Sequence, residues 1–444
     1  MSRHSRSDLT LALLVLALMG VRWTPRMAGA QEQPTGALTL DECIRTALAH
    51  NPSLASSRES VVAAQANVRQ TRSSYSPQLT LSASQGVRGT TATGRVGGGA
   101  QSSDGASLSL DMSLWRSGRR QSVAASEASL GAAEWSHRDS RLSVARLVAD
   151  DYYSVLAATE LVRVAEAGVA SAEEHWRQVL RQIEAGDVAD SEAYTVNDDL
   201  AQAELALIDA RSDLRTSLAT LRNNMGVPQD TQVQLAPSVL GAEGAVVSQA
   251  EALKTALEER PDVQAQRALI RSREHAVGVA RATYGPTLEL ATESRQSFPG
   301  WSDGTASWGL TAAATWPLLD GGQKRAGVAA ALASLRSSQA DLQALTDNVA
   351  LEIETALAEL DRARERVRAS EEAVTAARSR LTSAEVRYRE GLGILLEVTD
   401  ARAELTNAEA QNVEARYALE QARIGLQWAM GSLPLPGPGS EAQP

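Results

Sequence analysis

YSPQLTLSAS, residues 75–84, changes its period in mid-phrase. Upstream, from Leu38 to Arg72, Ala, Gln, Arg and Val recur at the three-to-four spacing of a helix. Beyond Pro77, Leu79, Leu81 and Ala83 alternate with Thr80, Ser82 and Ser84, the period of a strand. Water-soluble domains seldom run a helix straight into a strand with no turn between. The join therefore asks for an architecture that needs it.

The join occurs twice. YGPTLEL, residues 284–290, repeats YSPQLTL at an offset of 209, and Thr46-Ala47-Leu48 with Pro52 returns at that offset as Thr255-Ala256-Leu257 with Pro261. Later the offset settles at 205: Gly186 answers Gly391, Glu192 answers Glu397, and Met225-Gly226 answers Met430-Gly431. The chain reads as a tandem duplication, with a first repeat over 31–227, a linker over 228–247 carrying Pro228, Pro237, Gly241 and Gly244, a second repeat over 248–433, and a Pro/Gly-rich tail over 434–444. Each repeat orders as helix, strand, loop, strand, very long helix, short turn, helix.

Residues 1–30 read as an export signal. Arg3, His4 and Arg6 are followed by the 13-residue apolar run 9–21 and by Ala28-Gly29-Ala30, which suits cleavage. The run is shorter than the ~20 residues a spanning helix needs. Its removal takes the formal net charge from -11 to -14, since four arginines and one aspartate leave. That balance disfavours nucleic acid as a partner. The lone Cys43 excludes an internal disulfide framework, and it lies too far beyond the apolar run to serve as a lipid anchor.

No later stretch is apolar for 18 residues, so a membrane span would have to be built from strands. In residues 105–115, Ala106, Leu108, Leu110, Met112 and Leu114 alternate cleanly with small polar residues and Asp111, and a matching strand is expected from Trp308 to Leu318. Four strands of about ten residues have the length a tilted strand needs to cross a bilayer. Open sheet edges are not viable in lipid, and known single-chain barrels begin at about eight strands, so several chains must share one barrel. No proline interrupts 78–227 or 318–433, and the helical pattern of Arg119–Ala185 would be roughly 100 Å long. The helices after the turns carry heptad seams, from Val196 to Leu221 and from Ala401 to Leu426, with small residues every seventh position. Such seams suit either a two-helix hairpin or lateral packing into a larger helical wall.

On these features the chain resembles the TolC-type outer-membrane efflux proteins. The resemblance rests on LTLDECIRTALAHNP (38–52), the two helix-strand joins, PLLDGGQKR (317–325) and the Y-x-x-G turn Tyr388–Gly391. It implies a mixed α/β membrane protein: a homotrimer whose 12-stranded outer-membrane β-barrel, four strands per chain, continues into a periplasmic α-helical barrel. It further implies an exit duct, set in outer-membrane lipid of a Gram-negative bacterium. The duct would work with a periplasmic adaptor protein and an inner-membrane pump or secretion ATPase. No cofactor and no metal are implied.

Several residues carry specific expectations. In the barrel, Leu108, Leu110, Leu310 and Trp316 should face lipid, while Asp111, Glu289 and Glu293 face a cation-preferring lumen. Trp115, Phe298, Trp301, Trp308 and Trp316 should sit near the membrane interfaces. The turns 184–192 and 390–397 lie at the far end of the long helices, with Gly186, Gly391 and Gly393 suited to helix C-termini and Leu392, Ile394, Leu395 and Leu396 unusually apolar for a solvent turn. By resemblance, Gly186, Asp187, Val188, Gly391, Leu392 and Gly393 form the adaptor-contacting tip. Glu397 and Asp400 share a helix face by their i, i+3 spacing. By resemblance they constrict the tunnel, and Glu192 and Tyr388 link neighbouring helices in its closed state. Gly393 stands where well-known members have an arginine that completes this link, so the gate is expected either to be held more weakly or to be held by Arg387 or Arg389 instead.

Rival functions fare worse. The five histidines are scattered without metal-ligand spacing, and Asp320–Lys324 lacks the G-x-x-x-x-G-K-[ST] pattern of a phosphate loop, so an enzyme is not expected. A periplasmic adaptor would have one hairpin between split β-rich halves. A soluble coiled-coil scaffold leaves the strands and the signal unexplained. The transported substrate is not written in the sequence.

Overall fold

Both repeats follow the same course in the computed structural model, which describes residues 37–89, 100–186, 188–237, 247–298 and 305–436. The first contains α1 (Leu40–His50), α2 (Pro52–Ser73), β1 (Gln78–Gly89), β2 (Ala100–Arg116), α3 (Arg119–Ala185) and α4 (Ser191–Met225). The second contains α5 (Gln249–Glu259), α6 (Pro261–Ala282), β3 (Thr287–Phe298), β4 (Thr305–Thr315), α7 (Gln323–Arg389) and α8 (Leu395–Ala429). The export segment 1–30, Asp187, Trp301 and the tail beyond 436 lie outside the described residues.

Local chemistry sets the boundaries. Thr39 and Glu42 form a capping box at the start of α1. Pro52 and Pro261 each open the next helix at its first turn, where a missing N–H costs nothing. The long helices α3 and α7 are both 67 residues, uninterrupted by proline or by a positive φ.

The strands form one antiparallel sheet in the order β1-β2-β3-β4. One strand boundary differs from the sequence reading. The fourth strand runs from Thr305 to Thr315 rather than from Trp308 to Leu318, because its partner β3 begins at Thr287 and Pro317 has no N–H to offer a ladder. The third strand extends to Phe298, which ends β3 and pairs with Asp104.

Near the strands α2 packs on α3, α3 on α6 and α6 on α7; farther away the lateral order is α4, α3, α8, α7. Thus α2 and α4 form one interrupted column beside α3, and α6 and α8 form another beside α7. With 22 and 35 residues, each pair of short helices covers most of the length of its 67-residue neighbour.

The columns meet end to end at two related joints. In the first, Asn51 Nδ2 donates to the Asn224 carbonyl at 2.7 Å. Gly226 then turns the chain at φ +70° so close that a Cβ would lie 2.5 Å from the His50 carbonyl oxygen. In the second, Arg260 Nη1 donates to the Ala429 carbonyl at 3.2 Å. A Cβ on Gly431 would lie 3.0 Å from the Arg260 nitrogen. Arg260 is only 5% exposed and is neutralised by Asp262 at 2.7 Å and Glu352 at 2.5 Å.

The main core lies at the height of the first joint, where α1 crosses α3 and α4 and buries Cys43, Ile44, Ala47, Val148, Tyr152, Leu221 and Met225. The Tyr152 hydroxyl donates to the Ala236 carbonyl at 2.8 Å, and Leu38 bridges Leu235 in parallel, so the linker is held against this core. Cys43 is fully enclosed and burial pushes its thiol up to about 12, which makes it a packing residue.

The joints separate two costs of replacing glycine. Gly186 also sits at positive φ, but nothing lies within 4 Å of its would-be Cβ. Gly186→Ala should cost only the left-handed backbone penalty, ~1–2 kcal/mol. Gly226→Ala adds backbone overlap and should destabilise at least twice as much. Thermal midpoints of the two purified variants check this, and equal losses would contradict the joint.

Candidate functional site

Cross-strand pairing sorts the sheet into two faces. Leu81 faces Leu108, Leu79 faces Leu110, Met112 faces Leu290, Thr292 faces Leu310 and Leu288 faces Ala314. Since paired residues share a face, these side chains and Trp308, opposite Ser294, form one apolar band. The other face carries Ser107, Ser109, Asp111, Ser113, Glu289 and Glu293 with Ser307 and Thr311. The sheet therefore brings Asp111, Glu289 and Glu293 to one side.

Two arginines that the sequence reading overlooked share that side. A bulge between Ser113 and Trp115 places Trp115 opposite Leu288, on the apolar face, and sends Arg116 to the polar one. There Arg116 pairs with Glu289 at 3.1 Å, and Arg295 pairs with Glu293 at 2.7 Å. Simple alternation would have put Arg116 with the leucines, so only the bulge reveals it. That face therefore carries charge of both signs.

The joins themselves are capped by aromatic rings. Arg119, in the first turn of α3, stacks over Tyr75 at 4.6 Å, and Lys324, in the first turn of α7, lies 5.4 Å from the Tyr284 ring. Trp316 lies just beyond the end of β4, and its indole N–H donates to the Tyr284 carbonyl at 2.9 Å. Gly321 and Gly322 take positive φ, and Asp320 accepts from the Gly322 and Lys324 backbone N–H groups at 3.1 and 3.0 Å. That stretch is a tight turn into a helix.

At the far ends of the long helices the two hairpins meet. Val179, Val196 and Leu395 are buried together, with Trp176, Ile183, Val188 and Tyr388 packed around them. Leu395, expected at the surface, is thus core, because the first turn of α8 faces α3 and α4. Leu392 is 74% exposed, and Ile394 and Leu396 are exposed beside it. Gly186 and Gly391 both turn at positive φ, while Gly393 does not.

The Tyr388 hydroxyl donates to Gln182 Oε1 at 3.1 Å and approaches Glu192 Oε2 at 3.5 Å. Burial first, then Glu192, pushes that phenol up. Glu397 pairs within its own hairpin with Arg387 at 3.4 Å. A side chain at Gly393 would meet both: its Cβ would lie 3.1 Å from Glu397 Oε2 and 3.2 Å from Arg387 Cβ. Asp400 is exposed one turn on, and its charge adds to burial and Asp198 in raising Asp199 on α4. The structure therefore groups Tyr388 with Glu192, and Glu397 with Arg387. Gln182 was missed because its spacing carries no signal.

The model of the family described as outer membrane efflux protein matches residues 43–227 and 252–432. The chain belongs to that family. It is 27% identical over 403 residues to protein CyaE of Bordetella pertussis, covering 89% of this chain and 84% of that one. It is 25% identical over 410 residues to the pyoverdine export outer membrane protein OpmQ of Pseudomonas aeruginosa, covering 89% and 85%. Its fold is that of the Campylobacter jejuni CmeC outer membrane channel, with a TM-score of 0.76 at 19% identity, covering 92% of this chain and 91% of that one.

The chain is accordingly an outer-membrane channel of the efflux and secretion type, with four strands of a β-barrel continuous with a long α-helical body. The adaptor reading is set aside.

Within this family member, a groove of about 730 Å³ runs between α3, α4 and α8, walled largely by alanines and lined by His175, Asp199 and Arg402. His175 is 4% exposed and its Nε2 has no partner among the described residues. Burial first and Arg402 second lower its pKa to about 4. Below about pH 6.5 the unfolded chain takes up a proton that the folded chain refuses until about pH 4. Stability from this residue is therefore present above 6.5 and falls as the pH drops through that window, by roughly 3 kcal/mol in all. Thermal midpoints of the parent and His175→Gln between pH 7 and 4 should converge as the pH falls. Parallel curves would remove the histidine from the acid response.

Proposed function

We propose that three copies of the chain close their sheets into one 12-stranded barrel and their helices into one periplasmic tunnel. The assembly acts as the exit duct for a periplasmic adaptor and an inner-membrane pump or secretion ATPase. The observation that carries this reading is the sheet itself. It has a continuous apolar band, but among the described residues β1 and β4 each have only one neighbouring strand. In hydrocarbon each unpaired backbone group costs several kcal/mol, so both edges require further strands.

The helical body supports the same assembly. Helix α8 is flanked by α7 and α3 and buries Ala401, Ala408, Ala415 and Ala422. Helix α4 lies at the lateral edge with Tyr194, Leu205 and Ile208 exposed. A neighbouring protomer would cover that edge. Residues 1–30 would direct export and be removed. The chain is a conduit in this reading, with no catalytic step.

In the closed barrel the apolar band meets lipid and the polar face lines the lumen. Trp115 and Trp316 then mark the periplasmic interface, with Trp308 toward the outer one, where Phe298 and Trp301 also belong by sequence position. Asp111, Glu289 and Glu293 are offset by Arg116 and Arg295, and Arg88 of β1 shares their register position through its pairing with Gln101, so the described part of that face is close to neutral. Cation preference should therefore be weak. Arg116→Gln with Arg295→Gln should strengthen it, as read from reversal potentials under a salt gradient. A double variant no more cation-selective than the parent would remove these residues from the lumen.

At the opposite end, Glu397 and Asp400 from three chains constrict the tunnel, and Tyr388 with Glu192 keeps the hairpins together. Gly186, Asp187, Val188, Gly391, Leu392 and Gly393 form the tip that meets the adaptor, with exposed Leu392 as its apolar anchor. These roles predict a double dissociation. Glu397→Gln with Asp400→Asn should raise single-channel conductance severalfold and weaken block by divalent cations. Gly391→Asp with Leu392→Asp should abolish export in cells while trimers form and conductance stays at the parental level. Interchanged phenotypes, or parental behaviour in both, would overturn the assignment.

A further inference from the structure

Arg402 makes contacts that no residue of the expected gate makes. It lies in the second turn of α8, with its side chain three-quarters enclosed. Nη2 donates to Glu385 Oε1 on α7 at 2.6 Å, which neutralises its charge inside its own hairpin. Nη1 reaches the other hairpin and donates to both the carbonyl oxygen and the hydroxyl of Ser171 on α3, at 3.1 and 2.6 Å. One guanidinium thus ties three helices. Its planar fork can satisfy two directions at once, which an ammonium cannot.

The surroundings make that tie hard to replace by water. Nε is buried with no partner among the described residues, and His175 lies close enough to feel its charge. Three residues before Ser171, Gly168 lets Thr406 of α8 approach to 3.6 Å of a would-be Cβ, so the helices are close here. Meanwhile Arg387 is committed to Glu397 within the second hairpin, and Gly393 has no side chain to offer.

We propose that Arg402 is the positioning residue that clasps hairpin α7–α8 to hairpin α3–α4, fixing the spacing of their tips and so the width of the tunnel mouth. The clasp rests on the reading of the chain as a duct constricted at that end. Separating the hairpins requires Nη1 to leave Ser171, while Glu385 keeps the arginine with α8. The clasp therefore opens on a defined side, and the carboxylates of Glu397 and Asp400 move with the hairpin that is released.

The test measures spacing and conduction separately. Spin labels replacing exposed Asp190 and Glu390 report the distance between the two tips, since Cys43 is fully buried. Arg402→Met, which keeps the stem and removes the fork, should lengthen and broaden the distance distribution and raise conductance severalfold, with heat-resistant trimers retained. Arg402→Lys, which can hold Glu385 or Ser171 but not both, should fall between the parent and Arg402→Met. It also reports on the clasp should the methionine variant fail to assemble. A parental distance distribution or a parental conductance in the assembled variants overturns the clasp. Failure of the gate reading shows itself differently, as parental conductance in the Glu397→Gln, Asp400→Asn variant.

Discussion

Every strand of this sheet is covalently continuous with a helix at the same end, and that continuity orders the rest. Because β1 follows α2, β2 precedes α3, β3 follows α6 and β4 precedes α7, the strand order β1-β2-β3-β4 dictates the helix order α2, α3, α6, α7. Hydrogen bonding across the ladder fixes neighbours at about 4.8 Å, whereas packed helices need 8–10 Å. The joins must therefore turn as well as connect. Tyr75 and Tyr284, each covered by a cation from the first turn of a long helix, occupy the position where that change of spacing is absorbed.

A wall four helices wide must also survive the end of its shorter members. The answer is the pair of end-to-end joints, where an αL glycine lets the last carbonyls of one helix abut the first turn of the next. Duplication preserved this geometry while changing its chemistry. Asn51 does at the first joint, with one neutral amide, what Arg260 does at the second with a buried guanidinium, two carboxylates and the Trp428 ring. A buried ion pair is weak support for stability in itself, because desolvation offsets most of the attraction. What Arg260 adds is direction, since its fork fits only one arrangement of α6, α7 and the end of α8.

Much of this was legible in the residues. The period change at Pro77, its echo at Pro286 and the proline-free runs located both joins and both 67-residue helices. The alternation of Leu108, Leu110 and Met112 defined the faces of the sheet. Periodicity misleads where a single backbone event re-aims a side chain. The bulge after Ser113 exchanged Trp115 and Arg116 between faces, and the buried first turn of α8 took Leu395 from the surface. Periodicity carries no warning of either, because both follow from contacts between segments far apart in the chain. Asp111, Glu289 and Glu293 were placed together correctly by parity. Arg295 shares the parity of Glu293 and was legible in the same way, whereas Arg116 reaches Glu289 only through the bulge, which depends on pairing between strands.

The same distinction explains why the hairpin tips are harder to read than the sheet. Glu192 and Glu397 occupy equivalent positions in the two repeats, yet one approaches a tyrosine from the other hairpin and the other pairs with an arginine of its own. Equivalent sequence has diverged into one contact that joins the hairpins and one that does not. The tips are therefore asymmetric within each chain, and any motion that separates the hairpins must break the Tyr388 and Arg402 contacts while leaving Arg387–Glu397 whole. The charge that travels with α7 and α8 is thus already partly neutralised. Of the two carboxylates on that face of α8, Glu397 is held by Arg387, whereas Asp400 lies exposed one turn on.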